Sequence, residues 1–333
     1  MKKFISLALI TVLLFTLPLV AGCDKKGSSE LTKITLSEVA HSIFYAPQYA
    51  AIELGYFEEE GIALTLVNDA GADNVMTSLI SKDADIGFMG SEASIYVYSE
   101  GNADYAVNFA QLTQRAGNFL VARQPIDNFS WDMLKGKNVL GGRDGGMPEM
   151  VFEYILMQNG INPDTDVNID KSINFGLTAA AFTGGDADFT VEFEPFATSL
   201  EMENEGCIVA SLGVDSGYVP YTSYCALKSY FDSHEDVISG FTRAIQKGLD
   251  YVNSHTSKEI ATVISAQFAE TDIDKIATIV ERYKNQDTWK KDTVFEKDSF
   301  EHLEDILIAN DSISKKVPYE DLVTTKYSKD AAK

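Results

Sequence analysis

The sequence has few cysteines and histidines, the side chains that most often bind zinc. Its 333 residues include 3 cysteines and 4 histidines, and no two histidines are four positions apart. This spacing lacks the helical pairs that hold zinc, so we predict neither a metal site nor a cofactor. Besides Cys23, only Cys207 and Cys225 remain, and we expect two buried, unpaired thiols. A disulfide between them is the alternative.

Basic residues are scarce relative to acidic ones. Lys and Arg total 27 against 50 Asp and Glu, which gives a formal net charge of −23. Phosphate backbones and anionic membrane surfaces attract clusters of positive charge. The composition therefore argues against a nucleic-acid partner and against a polybasic membrane patch.

Only the start of the chain has a long hydrophobic run. Residues 4–20 are apolar, they follow Lys2 and Lys3, and they lead into Val20-Ala21-Gly22-Cys23. A basic start, an apolar centre and small residues before the cut are typical of an export signal. The segment resembles a bacterial lipoprotein signal with its lipobox. An ordinary secretory signal and an uncleaved anchor helix are the alternatives.

The lipoprotein resemblance divides the beginning of the chain in two. It implies that residues 1–22 are removed and that Cys23 is lipidated. Residues 23–30 are then a polar, Gly- and Ser-containing tether. The protein is expected outside the cytoplasm, where the lipid attaches it to the bacterial cell membrane.

Beyond the tether, short β-rich runs alternate with helical periodicity, which predicts an α/β fold with parallel sheets. Two extended runs, residues 119–123 and 221–227, interrupt this alternation. We interpret them as paired hinge strands between two lobes. Lobe 1 is then discontinuous, with residues 31–122 and 226–333, and lobe 2 is the inserted segment 123–225.

Three segments carry a resemblance to a known family. Residues 44–62 contain the pattern A-x-x-x-G-Y-F-x-x-E-G, residues 85–88 read Asp-Ile-Gly-Phe, and residues 281–284 precede Trp289. They resemble the solute-binding proteins of ABC importers for nitrate, taurine, aliphatic sulfonates and the pyrimidine precursor of thiamine. The resemblance implies a two-lobed periplasmic-binding-protein fold (type II) with two crossover hinge strands. It also implies a monomer that delivers a small-molecule solute to a membrane permease.

In open α/β sheets, ligands bind beyond the carboxyl ends of the strands, so the loops after the predicted strands are the candidate site. These loops are residues 37–45, 90–94, 113–115, 141–149 and 192–195. The residues expected to contact a ligand are His41, Tyr45, Ser91, Glu92, Thr113, Gln114, Arg115, Gly145, Met147, Glu149, Glu192, Glu194 and Tyr221. Of the last two glutamates, one is expected to be exposed.

The charges in these loops indicate the class of ligand. Several carboxylates stand against Arg115, Arg143 and His41, and carboxylates near an anion would oppose its binding. A heterocycle with N–H donors would use the carboxylates, and aromatic rings would sandwich it. The aromatic candidates are Tyr45, Phe182, Tyr221 and Tyr224. We therefore expect a ligand like the thiamine pyrimidine precursor; a nitrate, taurine or sulfonate ligand is the alternative.

Two other classes of function remain open. Fungal relatives on this scaffold resemble enzymes that make the thiamine pyrimidine, and they carry a cysteine-rich motif. This chain has no cysteine cluster and no Ser-His-Asp order, so we predict no catalytic residues. A lipoprotein that senses a solute and signals by closing differs from a transport protein only in its partner.

Overall fold

The computed structural model describes residues 30–333. The predicted signal peptide, the lipidated Cys23 and the tether up to residue 29 lie outside the described residues. Within residues 30–333 the chain forms ten strands: β1 (Thr32–Glu38), β2 (Ile62–Asn68), β3 (Ile86–Met89), β4 (Ala106–Thr113), β5 (Asn118–Ala122), β6 (Asn138–Leu140), β7 (Asn168–Asp170), β8 (Phe189–Phe193), β9 (Cys207–Ser211) and β10 (Thr222–Leu227).

The helices alternate with the strands up to β10 and then follow one another to the end of the chain. The α-helices in the same described range are α1 (Ala46–Glu53), α2 (Tyr56–Glu59), α3 (Ala72–Ser81), α4 (Glu92–Ser99), α5 (Met147–Gln158), α6 (Thr178–Gly184), α7 (Phe196–Met202), α8 (Leu212–Asp215), α9 (Lys228–Ser233), α10 (Glu235–Ser254), α11 (Ser257–Ile264), α12 (Ile273–Asn285), α13 (Lys297–Ala309), α14 (Tyr319–Leu322) and α15 (Lys326–Ala331). Short 3₁₀ turns cover Ile43–Tyr45, Trp131–Leu134, Phe175–Leu177 and Ser265–Phe268.

The strands form two sheets with the same layout. The first sheet has the order β2-β1-β3-β10-β4, and the second has the order β7-β6-β8-β5-β9. In each sheet three neighbouring strands are parallel, and one strand runs antiparallel to both of its neighbours. The α/β prediction is confirmed, but the prediction of purely parallel sheets is wrong.

The reversed strands in the two sheets are β10 and β5, and each is the strand that arrives from the other sheet. The chain leaves the first sheet at the carboxyl end of β4 and leaves the second at the carboxyl end of β9. The chain then enters the other sheet at that sheet's own carboxyl edge. The arriving strand must therefore run antiparallel to its neighbours. The carboxyl edges of the two sheets are thereby joined by residues 114–117 and 212–221.

The prediction of two crossover strands is confirmed, because β5 and β10 each arrive from the other sheet, but the two strands do not pair with each other. β5 pairs with β8 and β9, whereas β10 pairs with β3 and β4, so neither contacts the other as a sheet neighbour. Leu31–Lys333 form one compact unit. The lobe boundaries at residues 122/123 and 225/226 stay a prediction.

Helix α10 fixes the core of the first sheet. Its apolar face buries Phe241, Ile245 and Leu249, and the Phe241 ring meets the Tyr224 ring edge-on at 5.1 Å. Gly248 on the same helix approaches α1 closely, since a Cβ there would collide with the Pro47 carbonyl oxygen. The glycine is therefore required by the contact between two helices and not by a turn.

The cysteines of the described residues are unpaired, as expected. Cys225 is buried, whereas Cys207 is only partly buried, which corrects the expectation for its burial. Among the described residues, none of the helices has the length and apolar composition needed to cross a bilayer.

We expect Gly248→Ala to destabilise the protein by about 2 kcal/mol, because the overpacked contact outweighs the gain of about 1 kcal/mol in helix propensity. Gly240→Ala on the same helix is the control, since its Cβ would stay 3.4 Å from the Glu60 Cβ. This control should be neutral or stabilising. Urea unfolding of both variants measures the difference, and equal effects at the two positions would contradict the close helix contact.

Candidate functional site

The two carboxyl edges meet through aromatic and polar contacts. The Phe44 ring from the loop after β1 lies 6.0 Å from the Phe193 ring at the end of β8. The Tyr221 ring, just before β10, lies 6.3 Å from the Phe193 ring. The Ser42 hydroxyl donates to the Glu194 carbonyl oxygen across 3.4 Å. These contacts place the loops after β1, β8 and α8 around one region between the sheets.

Glu92 is a carboxyl group in this region that lacks a full set of partners. It is the first residue of α4, just after β3, and it is 6% exposed. Its Oε2 atom is buried and accepts no hydrogen bond from the described residues. Burial raises the pKa of Glu92 to about 7, because a charged carboxylate loses its water there.

Tyr45 and Tyr221 lie near Glu92. Burial raises the pKa of each phenol well above its usual value, and the negative charge of Glu92 raises it further. The Tyr45 ring packs against Phe88 at 4.5 Å. The Tyr221 hydroxyl is buried without a hydrogen-bond partner among the described residues. The two aromatic side chains and the carboxyl group are therefore buried close together, and their surroundings define the space between the sheets.

Asn118 is a site residue that the sequence analysis missed. It opens β5 immediately after the first crossing, it is 0% exposed, and both polar atoms of its side chain lack a partner in the described structure. A buried polar group without a hydrogen bond costs about 1–3 kcal/mol. The amide is therefore available to a bound molecule. The only sequence signal is a polar residue at the head of an otherwise apolar strand.

Glu149 lies on α5, the helix that follows β6 of the second sheet, and both of its carboxylate oxygens have polar partners. It lies in the first turn of α5, its Oε1 atom is 2.8 Å from the Lys171 ammonium, and its Oε2 atom accepts from the Gly145 N–H at 3.3 Å. Burial raises the pKa of this carboxyl to about 7, and the Lys171 contact opposes the rise. Lys171 also pairs with Glu153, one turn further along α5.

Tyr96, which was also missed, connects the two carboxyl groups. Its hydroxyl lies 3.7 Å from the Met150 sulfur of α5, although Tyr96 itself belongs to α4. Burial raises the pKa of Tyr96 to about 12, and the charges of Glu92 and Glu149 both contribute. The first turns of α4 and α5 therefore bring one carboxyl group each to the space between the sheets.

Three predicted residues have most of their polar groups engaged away from this space, although the buried Nε atom of Arg115 lacks a partner among the described residues. His41 is exposed, and its ring nitrogens contact Glu38 at 2.8 Å and the Gln267 carbonyl oxygen at 2.9 Å. Gln114 donates to the Asp287 and Trp289 carbonyl oxygens. Arg115 donates to the Gly213 carbonyl oxygen and stacks over Tyr218. A ligand role for them stays a prediction that these contacts do not support.

Four more predicted residues shape the loops around the space. The Ser91 hydroxyl donates to the Pro220 carbonyl oxygen at 2.9 Å, and the Thr113 hydroxyl accepts from the Thr222 N–H at 2.9 Å. These bonds tie the ends of β3 and β4 to the second crossing. Met147 is buried at the start of α5, and Gly145 has a φ of +72°, which favours glycine.

The expectation that either Glu192 or Glu194 is exposed is wrong, since both residues are buried. Each carboxylate has protein partners that replace water. Glu192 accepts from the hydroxyls of Thr178 and Thr190, and burial raises its pKa to about 7. Glu194 accepts from the Thr198 N–H at 2.9 Å and pairs with the Arg282 guanidinium at 2.6 Å.

Two of the four aromatic residues that were expected to contact the ligand pack inside the protein instead. Tyr224 lies within the first sheet, stacked on Phe88 at 4.3 Å, and its hydroxyl donates to Gln48. Phe182, on helix α6, is buried beneath the Arg123 guanidinium. Tyr45 and Tyr221 remain as the aromatic candidates. Within the described residues no group of three His, Cys, Asp or Glu side chains could hold a metal ion.

Comparison with known proteins identifies relatives at the level of sequence. The sequence pattern of a family described as NMT1/THI5 like matches residues 43–259. The "Putative binding protein YtlA" of Bacillus subtilis (strain 168) is 43% identical over 310 residues, which cover 93% of this chain and 92% of that protein.

Solved structures confirm the predicted fold class. The periplasmic aliphatic sulphonate binding protein SsuA from Escherichia coli superimposes with a TM-score of 0.70 at 14% identity, over 87% of this chain and 97% of that one. The periplasmic nitrate-binding protein NrtA from Synechocystis PCC 6803 superimposes with a TM-score of 0.70 at 13% identity, over 91% and 89%. The fold is therefore that of the periplasmic binding proteins.

The burial of Glu92 predicts a pH dependence of stability. Since its pKa is higher in the folded protein, between about pH 5 and pH 7 the folded chain binds more protons than the unfolded chain, and the free energy of unfolding falls as pH rises. We expect the wild type to lose about 2 kcal/mol more than Glu92→Gln between pH 5 and pH 8.

Urea unfolding at the two pH values measures this loss. Tyr221→Phe is the control, because it alters the same space without adding or removing a group that titrates below pH 8. It should follow the wild type. Parallel pH profiles for the wild type and Glu92→Gln would show that the Glu92 carboxyl is not desolvated.

Proposed function

The chain belongs to the NMT1/THI5-like family, and from this premise we propose that it is the solute-binding component of an ABC importer. It captures a small organic molecule between its two sheets and delivers it to a membrane permease. The relative in Bacillus subtilis, named as a binding protein, and the binding proteins among the structural neighbours support this role. Binding, not catalysis, is the proposed activity.

The observation that carries the proposal is the set of buried, unpartnered polar groups between the sheets. Glu92 Oε2, the Tyr221 hydroxyl and the Asn118 amide all lack partners among the described residues. Each group costs free energy as long as nothing binds to it. A solute that supplies the missing hydrogen bonds would offset that cost, and this gives the space a strong preference for a polar ligand.

We propose a heterocycle with N–H donors, such as the pyrimidine precursor of thiamine, as the solute. An amino group can donate to Glu92, and the Asn118 amide can accept from or donate to ring substituents. The rings of Tyr45 and Tyr221 supply aromatic surfaces for a flat molecule. The carboxyl groups of Glu92 and Glu149 would repel a sulfonate or nitrate placed between them.

The location follows from the beginning of the chain. We propose that Cys23 carries a lipid and that residues 24–30 connect it to the folded unit, so the protein works outside the cytoplasm at the cell membrane. As a monomer with lobes at residues 31–122 plus 226–333 and at 123–225, it would close around the solute by a hinge motion and dock on the permease.

The solute class is tested by thermal shift and calorimetry on the chain lacking residues 1–23. We expect saturable stabilisation by aminopyrimidines, about 2.7 kcal/mol at 100-fold the Kd, and none by alkanesulfonates, taurine or nitrate. At pH 8, above the raised pKa of Glu92, Glu92→Gln should weaken binding of the aminopyrimidine at least about tenfold, because a charge-assisted hydrogen bond is lost.

Glu304→Gln is the control, since Glu304 is also buried but its carboxylate accepts from the Val317 N–H. It should bind like the wild type. Stabilisation by a sulfonate or nitrate alone would contradict the proposed solute class. An undiminished affinity in Glu92→Gln would contradict the proposed position of the solute.

A further inference from the structure

The carboxylate of Glu149 lies beside groups that favour negative charge, although burial and the neighbouring Glu153 carboxylate raise its pKa. Three features converge on it: the Lys171 ammonium at 2.8 Å, the Gly145 N–H at 3.3 Å, and the amino end of the 12-residue helix α5. Backbone N–H groups at the start of a helix and a nearby ammonium favour negative charge. Here that charge is supplied by a side chain of the protein itself.

The surroundings hold this carboxylate in place despite its burial. Its side chain is 4% exposed, and the Gly145 and Asp144 backbone is tied down in turn, since the Asp144 N–H donates to the Lys171 carbonyl oxygen at 3.2 Å. The glycine-rich loop, the end of β7 and the first turn of α5 thus form one rigid frame around Glu149.

The same frame faces the space between the sheets. The Tyr96 hydroxyl of α4 lies 3.7 Å from the sulfur of Met150, the residue after Glu149 on α5. Glu92, whose Oε2 atom is buried without a partner among the described residues, begins the same helix α4. A solute that enters between α4 and α5 therefore meets the Glu149 carboxylate at the position where an anionic group would otherwise be stabilised.

We propose that Glu149 is the specificity-determining residue that excludes anionic solutes, because its carboxylate fills an anion site made by Lys171, the Gly145 amide and the start of α5. The inference rests on the proposed function only in treating the space between the sheets as a solute site. Removal of this carboxylate opens the site to a small external anion such as a sulfonate.

Glu153 provides a matched comparison. It pairs with the same Lys171 ammonium and lies on the same helix, but the Gly145 N–H is bound by Glu149 and not by Glu153. Loss of Glu153 changes the charge around Lys171 by the same amount as loss of Glu149, while the anion site stays filled. Comparing the two variants therefore separates the effect of removing a charge from the effect of emptying the anion site.

The test uses the chain lacking residues 1–23 and methanesulfonate as the probe, with sodium chloride at equal ionic strength as the reference. We expect Glu149→Ala to bind methanesulfonate at least about tenfold more tightly than the wild type and Glu153→Ala, seen as a saturable rise in Tm and confirmed by calorimetry. Adding Lys171→Met to Glu149→Ala should remove this binding.

Glu149→Gln keeps the volume of the side chain and removes its charge, so it serves if Glu149→Ala does not fold. It should show a weaker but saturable response to methanesulfonate. Responses of both Glu149 variants that match the wild type would overturn the inference and leave Glu149 as a helix-capping residue. Tight methanesulfonate binding by the wild type would instead overturn both the exclusion of anions and the proposed solute class.

Discussion

The arrangement of this protein depends on the direction in which the chain crosses between its sheets. Both crossings start at the carboxyl end of a strand, and each arriving strand, β5 or β10, enters its new sheet at the carboxyl edge and runs against its neighbours. This topology brings the two carboxyl edges together. The loops with the most varied polar residues and the first turns of α4 and α5 then face one common space.

Desolvation is the main electrostatic cost in that space, and its compensation differs from one glutamate to the next. Glu194 has an arginine and a helix N–H, and Glu192 has two hydroxyls. Glu149 has a lysine shared with a second carboxylate, and Glu92 has an oxygen with no partner in the described structure. Glu92 therefore differs from the other three carboxylates in having an oxygen without a partner among the described residues.

Lys171, a residue outside the predicted loops, sets the local charge on which the proposed exclusion of anions depends. Its ammonium follows β7 and sits beside two carboxylates of α5. An ammonium near an empty helix start would favour anions, whereas the same ammonium paired with Glu149 does not. The sign of the charge presented to a solute therefore depends on a pair of residues, and the composition of the loops alone does not reveal it.

The sequence by itself determined the fold class, the family and the loops to examine, because hydrophobic periodicity and short motifs are local properties of the chain. It also indicated Glu92, Glu149, Tyr45 and Tyr221. Tertiary structure alone decided the reversed direction of β5 and β10, the pairing of Glu194 with Arg282, the contacts of Tyr96 and Lys171, and the lack of a partner for the Asn118 amide among the described residues. These features depend on which distant residue replaces water around a buried group, and such partners are not specified by spacing along the chain.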